Sequence, residues 1–233
     1  MARVFQRPER YNMFFRSLIN EIAAIGLGSM GIVAIISLFM GAVITLQTAS
    51  NIDSPWIPLY TVGFTTRQSV ILEFSPTIIA LILAGKVGSN IASEIGSMRI
   101  TEQIDALEIM GVNSASYLIL PKIIAAVIIN PFVIIYSMFL GIGGGWIVAE
   151  LSDIVTTSQY LYGIQYDFDP FNITYALVKT VVFAIVITSI PAYHGYYVRG
   201  GALEVGKAST RGVVYSSVVV LILNYVITQI MLI

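Results

Sequence analysis

The stretch from Ile25 to Thr48, IGLGSMGIVAIISLFMGAVITLQT, contains no ionisable side chain. At about 1.5 Å per residue, a helix of this length crosses a hydrocarbon layer roughly 30 Å thick. Only a helix or a closed barrel satisfies its own backbone in lipid, and a continuous apolar run of this length reads as a helix. Four more stretches of similar character follow, at about 67–89, 121–148, 172–196 and 213–233. The second carries Glu73, Pro76 and Lys86, and the third carries Pro131 and the triplet Gly143 to Gly145. The expected fold is therefore an all-α polytopic membrane protein with five transmembrane helices in a single domain covering 1–233.

Composition agrees. Of 233 residues, 57% are hydrophobic and 11% charged, whereas soluble domains carry about 25% charged residues. Mean hydropathy is +0.85. A net charge of −1 gives no footing for nucleic acid. With no cysteine and the single histidine His194, disulfide, thiolate and conventional zinc chemistry are excluded. His194, among Tyr193, Tyr196 and Tyr197, reads as an interfacial residue.

Between and before the spans the sequence is more polar. Residues 9–24 set Phe14, Phe15, Leu18, Ile19 and Ile22 against Arg10, Arg16 and Glu21, the pattern of an amphipathic helix lying in the membrane surface. The arginines at the N-terminus lack the apolar core and cleavage site of a signal peptide, so the segment is expected to be retained. Residues 51–66, with Asp53, Pro55, Trp56 and Pro58, read as a proline-broken link, and 149–169 as an acidic loop. Ten of twelve Lys and Arg fall in the N-terminal segment, the 86–122 region and the 199–211 loop. Positive residues are retained on the cytoplasmic side, which sets the N-terminus in the cytoplasm and the C-terminus outside.

The connection between spans two and three, EIGSMRITEQIDALEIMG from Glu94 to Gly111, places Ile100, Ile104 and Leu107 at helical spacing, with Arg99, Glu102, Asp105 and Glu108 on other faces. It reads as one helix over 94–110. Periodicity leaves two meanings open: a solvated loop helix, or a helix that docks into a soluble partner. Inside the spans, Glu73 and Lys179 each lie about seven residues, roughly 10 Å, below the outer end of their helices. Ionisable groups at such depth face a bundle interior or a watery cavity, often with an opposite charge. The two either pair, within or across protomers, or snorkel to the interface. The series Gly85, Gly88, Ser89, Ala92, Ser93, Gly96 and Ser97 reads as close helix packing. Ala80 and Val87 stand where a phosphate loop around Lys86 needs Gly and Ser or Thr, so the chain carries no nucleotide site of that kind. Pro76 and Pro131 read as structural kinks.

The run AGKVGSNIASEIGSMRITEQIDALEIMGV from Ala84 to Val112, followed by Pro121, resembles the signature of the MlaE/YrbE permeases of MCE-type ABC transporters. The likeness extends from about Gly41 to the C-terminus and includes KTVVFA from Lys179 and ASTRGVVY from Ala208. It implies an inner-membrane homodimer with a cytoplasmic ABC ATPase, a periplasmic MCE-domain partner forming a conduit toward the outer membrane, and phospholipid moving between membrane and conduit through a cavity between the protomers. No cofactor is expected in this chain, because ATP would be bound by the partner, so the chain is not an enzyme. The resemblance makes the charged connection a coupling helix, with Glu94, Arg99, Glu102, Gln103, Asp105 and Glu108 as ATPase-coupling residues. From their depth and opposite charge, Glu73 and Lys179 are expected to meet near that lipid cavity or to form an intramembrane charge pair. Leu72 and Asn172 depart from the pattern, since some members carry Arg and an acidic residue at those places. Two other function classes fit less well. An intramembrane enzyme needs a nucleophile and base, or paired carboxylates, at matched depth, and a secondary transporter often shows repeated halves.

Overall fold

The computed structural model describes residue 4 and residues 11–52, 56–152 and 155–232. Arg3, Arg7 and Arg10, the start of the expected surface helix, and Asp53, Pro55 and Asp153 lie outside them. The described chain is helical: α1 (Tyr11–Ser50), α2 (Tyr60–Ser69), α3 (Ile79–Leu83), α4 (Ser89–Ile100), α5 (Gln103–Ile109), α6 (Ser114–Ser152), α7 (Thr157–Gln165), α8 (Phe171–Tyr196) and α9 (Ala202–Leu232). Among the described residues no strand forms. Two π-helical stretches, Val70–Ile78 and Ala84–Gly88, join α2 to α3 and α3 to α4. The result is one helical run from Tyr60 to Ile100. Five helical runs are long and apolar enough to cross a membrane, as the sequence led us to expect.

Several boundaries differ from expectation, among them the starts of α6, at Ser114 rather than 121, and of α9, at Ala202 within the expected 199–211 loop rather than at 213, because the helices continue past the apolar stretch into polar sequence. First, the segment 9–24 is not a separate surface helix: α1 continues unbroken from Tyr11 into the first span. Neither Gly nor Pro falls between Tyr11 and Ile25 to end it. Phe14, Leu18, Ile22 and Ile25 still turn one covered face inward, while Phe15 and Ile19 are exposed. Second, the second helical run begins at Tyr60, inside the expected link. Third, the helix expected over 94–110 is two helices. α4 ends at Ile100, and Glu102 takes the left-handed conformation (φ 60°) before α5 begins. Fourth, the acidic loop contains α7, started by Thr156, whose hydroxyl accepts from the Gln159 amide.

Contacts divide the chain into two compact units. One comprises Met30–Ile79 and Phe132–Lys179. Its helices meet backbone to backbone through glycine. A Cβ on Gly41 would stand 1.7 Å from the Gly141 carbonyl oxygen, and one on Gly144 would stand 2.0 Å from that of Leu38. The hydroxyls of Ser37, Ser137 and Ser75 form a buried chain with steps of 2.8 and 3.0 Å. α2 and α7 pack in the same way, with Gly63 against Tyr160 and Gly163 against Tyr60. The fully buried Tyr160 donates to the Ile142 carbonyl at 3.1 Å. Burial pushes its pKa up to about 12, against a lowering hydrogen bond from Thr45, so the phenol stays neutral.

The other unit comprises Met1–Ser29, Ala80–Pro131 and Thr180–Ile233. Here Gly88, Ser89, Ala92 and Gly96 of the small-residue series pack as expected, whereas a Cβ on Gly85 would meet nothing within 4 Å and Ser97 is exposed. Gly88 faces Pro191, Gly96 faces Val205, and a Cβ on Gly195 would stand 2.6 Å from the Ala92 carbonyl oxygen. Ser209 donates to the Ser89 carbonyl at 3.2 Å. Lys122, almost wholly buried, bridges Glu21 at 2.5 Å and Glu94 at 2.8 Å. Only 11% of the apolar stretch of α9 is buried within the chain, against 56% for α6, which leaves α9 to be covered by lipid or by another protein.

Candidate functional site

Two clusters gather the ionisable residues singled out in the sequence. The first lies in the unit of Met30–Ile79 and Phe132–Lys179. Lys179 Nζ stands 2.8 Å from Glu73 Oε1, so the pair expected from matched depth forms within one chain. The ammonium has no exposure, and its three protons have three acceptors: the carboxylate, the Leu72 carbonyl at 3.3 Å, and the face of the Tyr175 ring at 4.4 Å. Glu73 is different. Its side chain is 44% exposed, and its second oxygen accepts from Thr77 at 3.1 Å.

The local winding explains how Glu73 is presented. Pro76, three residues on, has no amide proton, and Val70–Ile78 winds as a π-helix around it. Such widened turns occur frequently at functional sites. Leu72 and Asn172, the two departures from the family pattern, both lie here. Leu72 supplies the carbonyl for Lys179, and Asn172 Nδ2 donates to Gln68 Oε1 at 3.1 Å.

Sequence reasoning counted Arg67 only as a positive residue away from the basic loops. Arg67 is 1% exposed. Its guanidinium donates to the carbonyls of Ile164, Tyr166 and Asp167 at 2.7, 2.9 and 3.2 Å, between the rings of Phe64 and Phe168. It thereby anchors the end of α7. The available signal was an arginine without an acidic neighbour near a span end.

The second cluster surrounds α5, in the other unit. Arg99 meets Asp105 at 2.6 Å, tying the end of α4 to α5 across the turn at Thr101 and Glu102. Glu108 accepts from both Ser114 and Tyr196 at 2.9 Å, which ties α5 to the start of α6 and the end of α8. Gln103 donates to Thr101 at 3.1 Å, and Glu94 belongs to the Lys122 bridge. Gly111 (φ 81°) ends α5, with its own amide bonded to the Glu108 carbonyl and the Val112 amide to that of Leu107. Arg99, Asp105 and Glu108 are thus spent on holding α5. Glu102 is exposed, and beyond it Ile109 (87% exposed) and Met110 (68%) form an apolar tip that sequence reasoning did not single out. His194 stacks on Tyr215 with ring centroids 5.3 Å apart.

Comparison with known proteins supplies the family. The model of the family described as Permease MlaE matches residues 18–230. A probable ABC transporter permease protein of Rickettsia bellii is 37% identical over 217 residues, 93% of this chain and 83% of the relative. The intermembrane phospholipid transport system permease protein MlaE of Haemophilus influenzae is 31% identical over 218 residues, 93% of this chain and 83% of the relative. A protein of Synechocystis, also a probable ABC transporter permease, is 31% identical over 216 residues, 93% of this chain and 82% of the relative. With its spans, its charged turn and its intramembrane pair within the matched region, this chain belongs to the MlaE permease family.

Proposed function

We propose that this chain is the phospholipid-conducting permease subunit of an ABC transporter, working as a homodimer between the inner membrane and an MCE-domain conduit toward the outer membrane. The energy comes from a separate ATPase docked on the cytoplasmic side, where the basic loops also set the N-terminus. The observation that carries the reading is α5. It is fixed at three places, by Arg99, Ser114 and Tyr196, yet it offers an uncovered apolar tip and an exposed carboxylate at Glu102. A helix held rigidly from within transmits a partner's motion into the spans to which it is tied. The phospholipid named in the Haemophilus influenzae relative fits the exposed side of Glu73, which offers a polar contact at depth.

A pulldown tests the reading. Wild-type chain is expected to retain a stoichiometric ATPase. Ile109→Asp and Glu102→Lys are expected to lower ATPase recovery by about tenfold, as loss of a buried apolar anchor or a charge pair at an interface does. Helix content and melting temperature should stay unchanged, because neither side chain holds α5 in place. Full retention of the ATPase by both variants would sink the assignment.

A further inference from the structure

The unit that carries α5 also contains a cleft of about 510 Å³, lined by Glu21 and Ser29 of α1 and by Lys86, Ser89, Asn90 and Ser93 of the second helical run. Its volume is that of an ordinary small-molecule site. Lys86 Nζ donates to the Gly28 carbonyl, which carries the ammonium across to α1 beside the next residue, Ser29. Ser29 has no exposure and its hydroxyl has no hydrogen-bond partner. A buried hydroxyl left unsatisfied costs free energy that a ligand oxygen recovers.

From these features we infer that the cleft binds the phosphate group of a phospholipid, a site distinct from the Glu73 and Lys179 pair. An ammonium, hydroxyls and an amide together offer many donors, which suits an anion with several acceptor oxygens. The lysine has further donors once one proton is given to Gly28. Glu21, the one carboxylate lining the cleft, is met at 2.5 Å by Lys122, which it shares with Glu94, so its charge is partly offset and the Lys86 ammonium supplies the attraction for the anion. The hydrocarbon part of the ligand follows from location. Lys86 and Ser29 sit inside spans, and Ala24, Ile25, Val87 and Ile91 complete the lining of the cleft. A free anion has no apolar surface to set against those side chains, whereas an acyl chain does. Lys86 lies in the π-helical stretch Ala84–Gly88, which gives the second helical run a widened turn at this cation as it does at Glu73.

The site assignment rests on reading the chain as a phospholipid permease, and a local reporter tests it separately from transport. The chain has no cysteine, so Ala24→Cys, at an exposed position in the cleft that offers the ligand no donor, introduces a single thiol. Labelling of the purified full-length variant by N-ethylmaleimide is followed against dioctanoyl phosphatidylglycerol, dioctanoylglycerol and sodium phosphate. The phospholipid is expected to slow labelling saturably, and neither dioctanoylglycerol nor phosphate should do so at equal concentration. Adding Lys86→Met should raise the half-protecting lipid concentration by about tenfold, and Ser29→Ala by about threefold. Lys86→Arg should keep protection and so controls for folding.

Unchanged protection in both Lys86→Met and Ser29→Ala would overturn the site. Equal protection by dioctanoylglycerol would make the cleft an apolar groove, and equal protection by sodium phosphate would make it a free-anion site; either result overturns the phospholipid assignment. ATP-driven lipid transfer by the intact complex, measured in parallel, keeps the two readings apart. Transfer without lipid protection of the introduced thiol refutes this site alone, and protection without transfer refutes the proposed function alone.

Discussion

Replacing Glu73 with Gln is expected to destabilise the protein by about 3 kcal/mol, the cost of leaving a buried charge without its partner. The reason lies in the asymmetry of the pair. Lys179 has no exposure, so after Glu73→Gln its ammonium stays enclosed with only the Leu72 carbonyl, the Tyr175 ring and a neutral amide. In the reverse substitution, Lys179→Met, the orphaned group is Glu73, whose side chain is 44% exposed and keeps its bond from Thr77. That loss should be smaller, about 1–2 kcal/mol. The double variant should recover to within about 1 kcal/mol of the wild type, since an apolar side chain replaces a buried ion pair at little cost. Unfolding of the four purified proteins in detergent measures all three terms as a cycle. Lys179→Met costing more than Glu73→Gln would show that the lysine is not the enclosed partner.

A comparably large effect is expected from one methyl group at Gly144. Its Cβ would stand 2.0 Å from the Leu38 carbonyl oxygen, and at the same crossing a Cβ on Gly41 would stand 1.7 Å from the Gly141 oxygen. The obstacle in both places is backbone, which has no rotamer to change. The helices must separate, and the Ser37–Ser137 bond at 2.8 Å then stretches. Overpacking of about 1–3 kcal/mol together with a lost hydrogen bond of about 1 kcal/mol gives a cost of about 2–4 kcal/mol for Gly144→Ala. The control is the neighbouring residue. A Cβ on Gly143 meets nothing within 4 Å. Gly143→Ala should therefore be neutral or stabilise by up to about 1 kcal/mol through helix propensity. Expression level and thermal unfolding of the two alanine variants separate them, and equal melting temperatures would contradict the close crossing.

The sequence revealed most where a single rule applied without competition. A charge-free run from Ile25 to Thr48 has one stable form in lipid, and matched depth made Glu73 and Lys179 candidates to pair, with snorkelling left open until the 2.8 Å contact decided it. Features that depend on distant residues stayed hidden. Lys122 lies 101 residues from Glu21, and nothing local in either segment marks the bridge. α7 is nine residues long within a polar stretch, too short for periodicity to separate it from a loop. The turn at Thr101 and Glu102 carries no Gly or Pro, so helical spacing ran through it in the reading of 94–110 as one helix. Its left-handed residue is held by the Arg99–Asp105 pair across it, a tertiary cause that propensity does not register. The π-helical windings are of the same kind: Pro76 signals a missing hydrogen bond, but not how the helix absorbs it. At the turn between α4 and α5 the charges were legible and their allocation was not. Three of the six expected coupling residues, Arg99, Asp105 and Glu108, hold α5 in place, and the exposed tip is apolar.

The most direct test is lipid transfer itself. The complex purified through this chain is reconstituted into vesicles of phosphatidylethanolamine and phosphatidylglycerol containing a fluorescent phospholipid, and movement of the label to or from the complex's outer partner is followed with and without ATP. The expected result is transfer that requires ATP and falls by about tenfold when Ile109→Asp lowers ATPase recovery. Transfer at the same rate without ATP, or undiminished when ATPase recovery falls, would contradict an ATP-driven phospholipid permease.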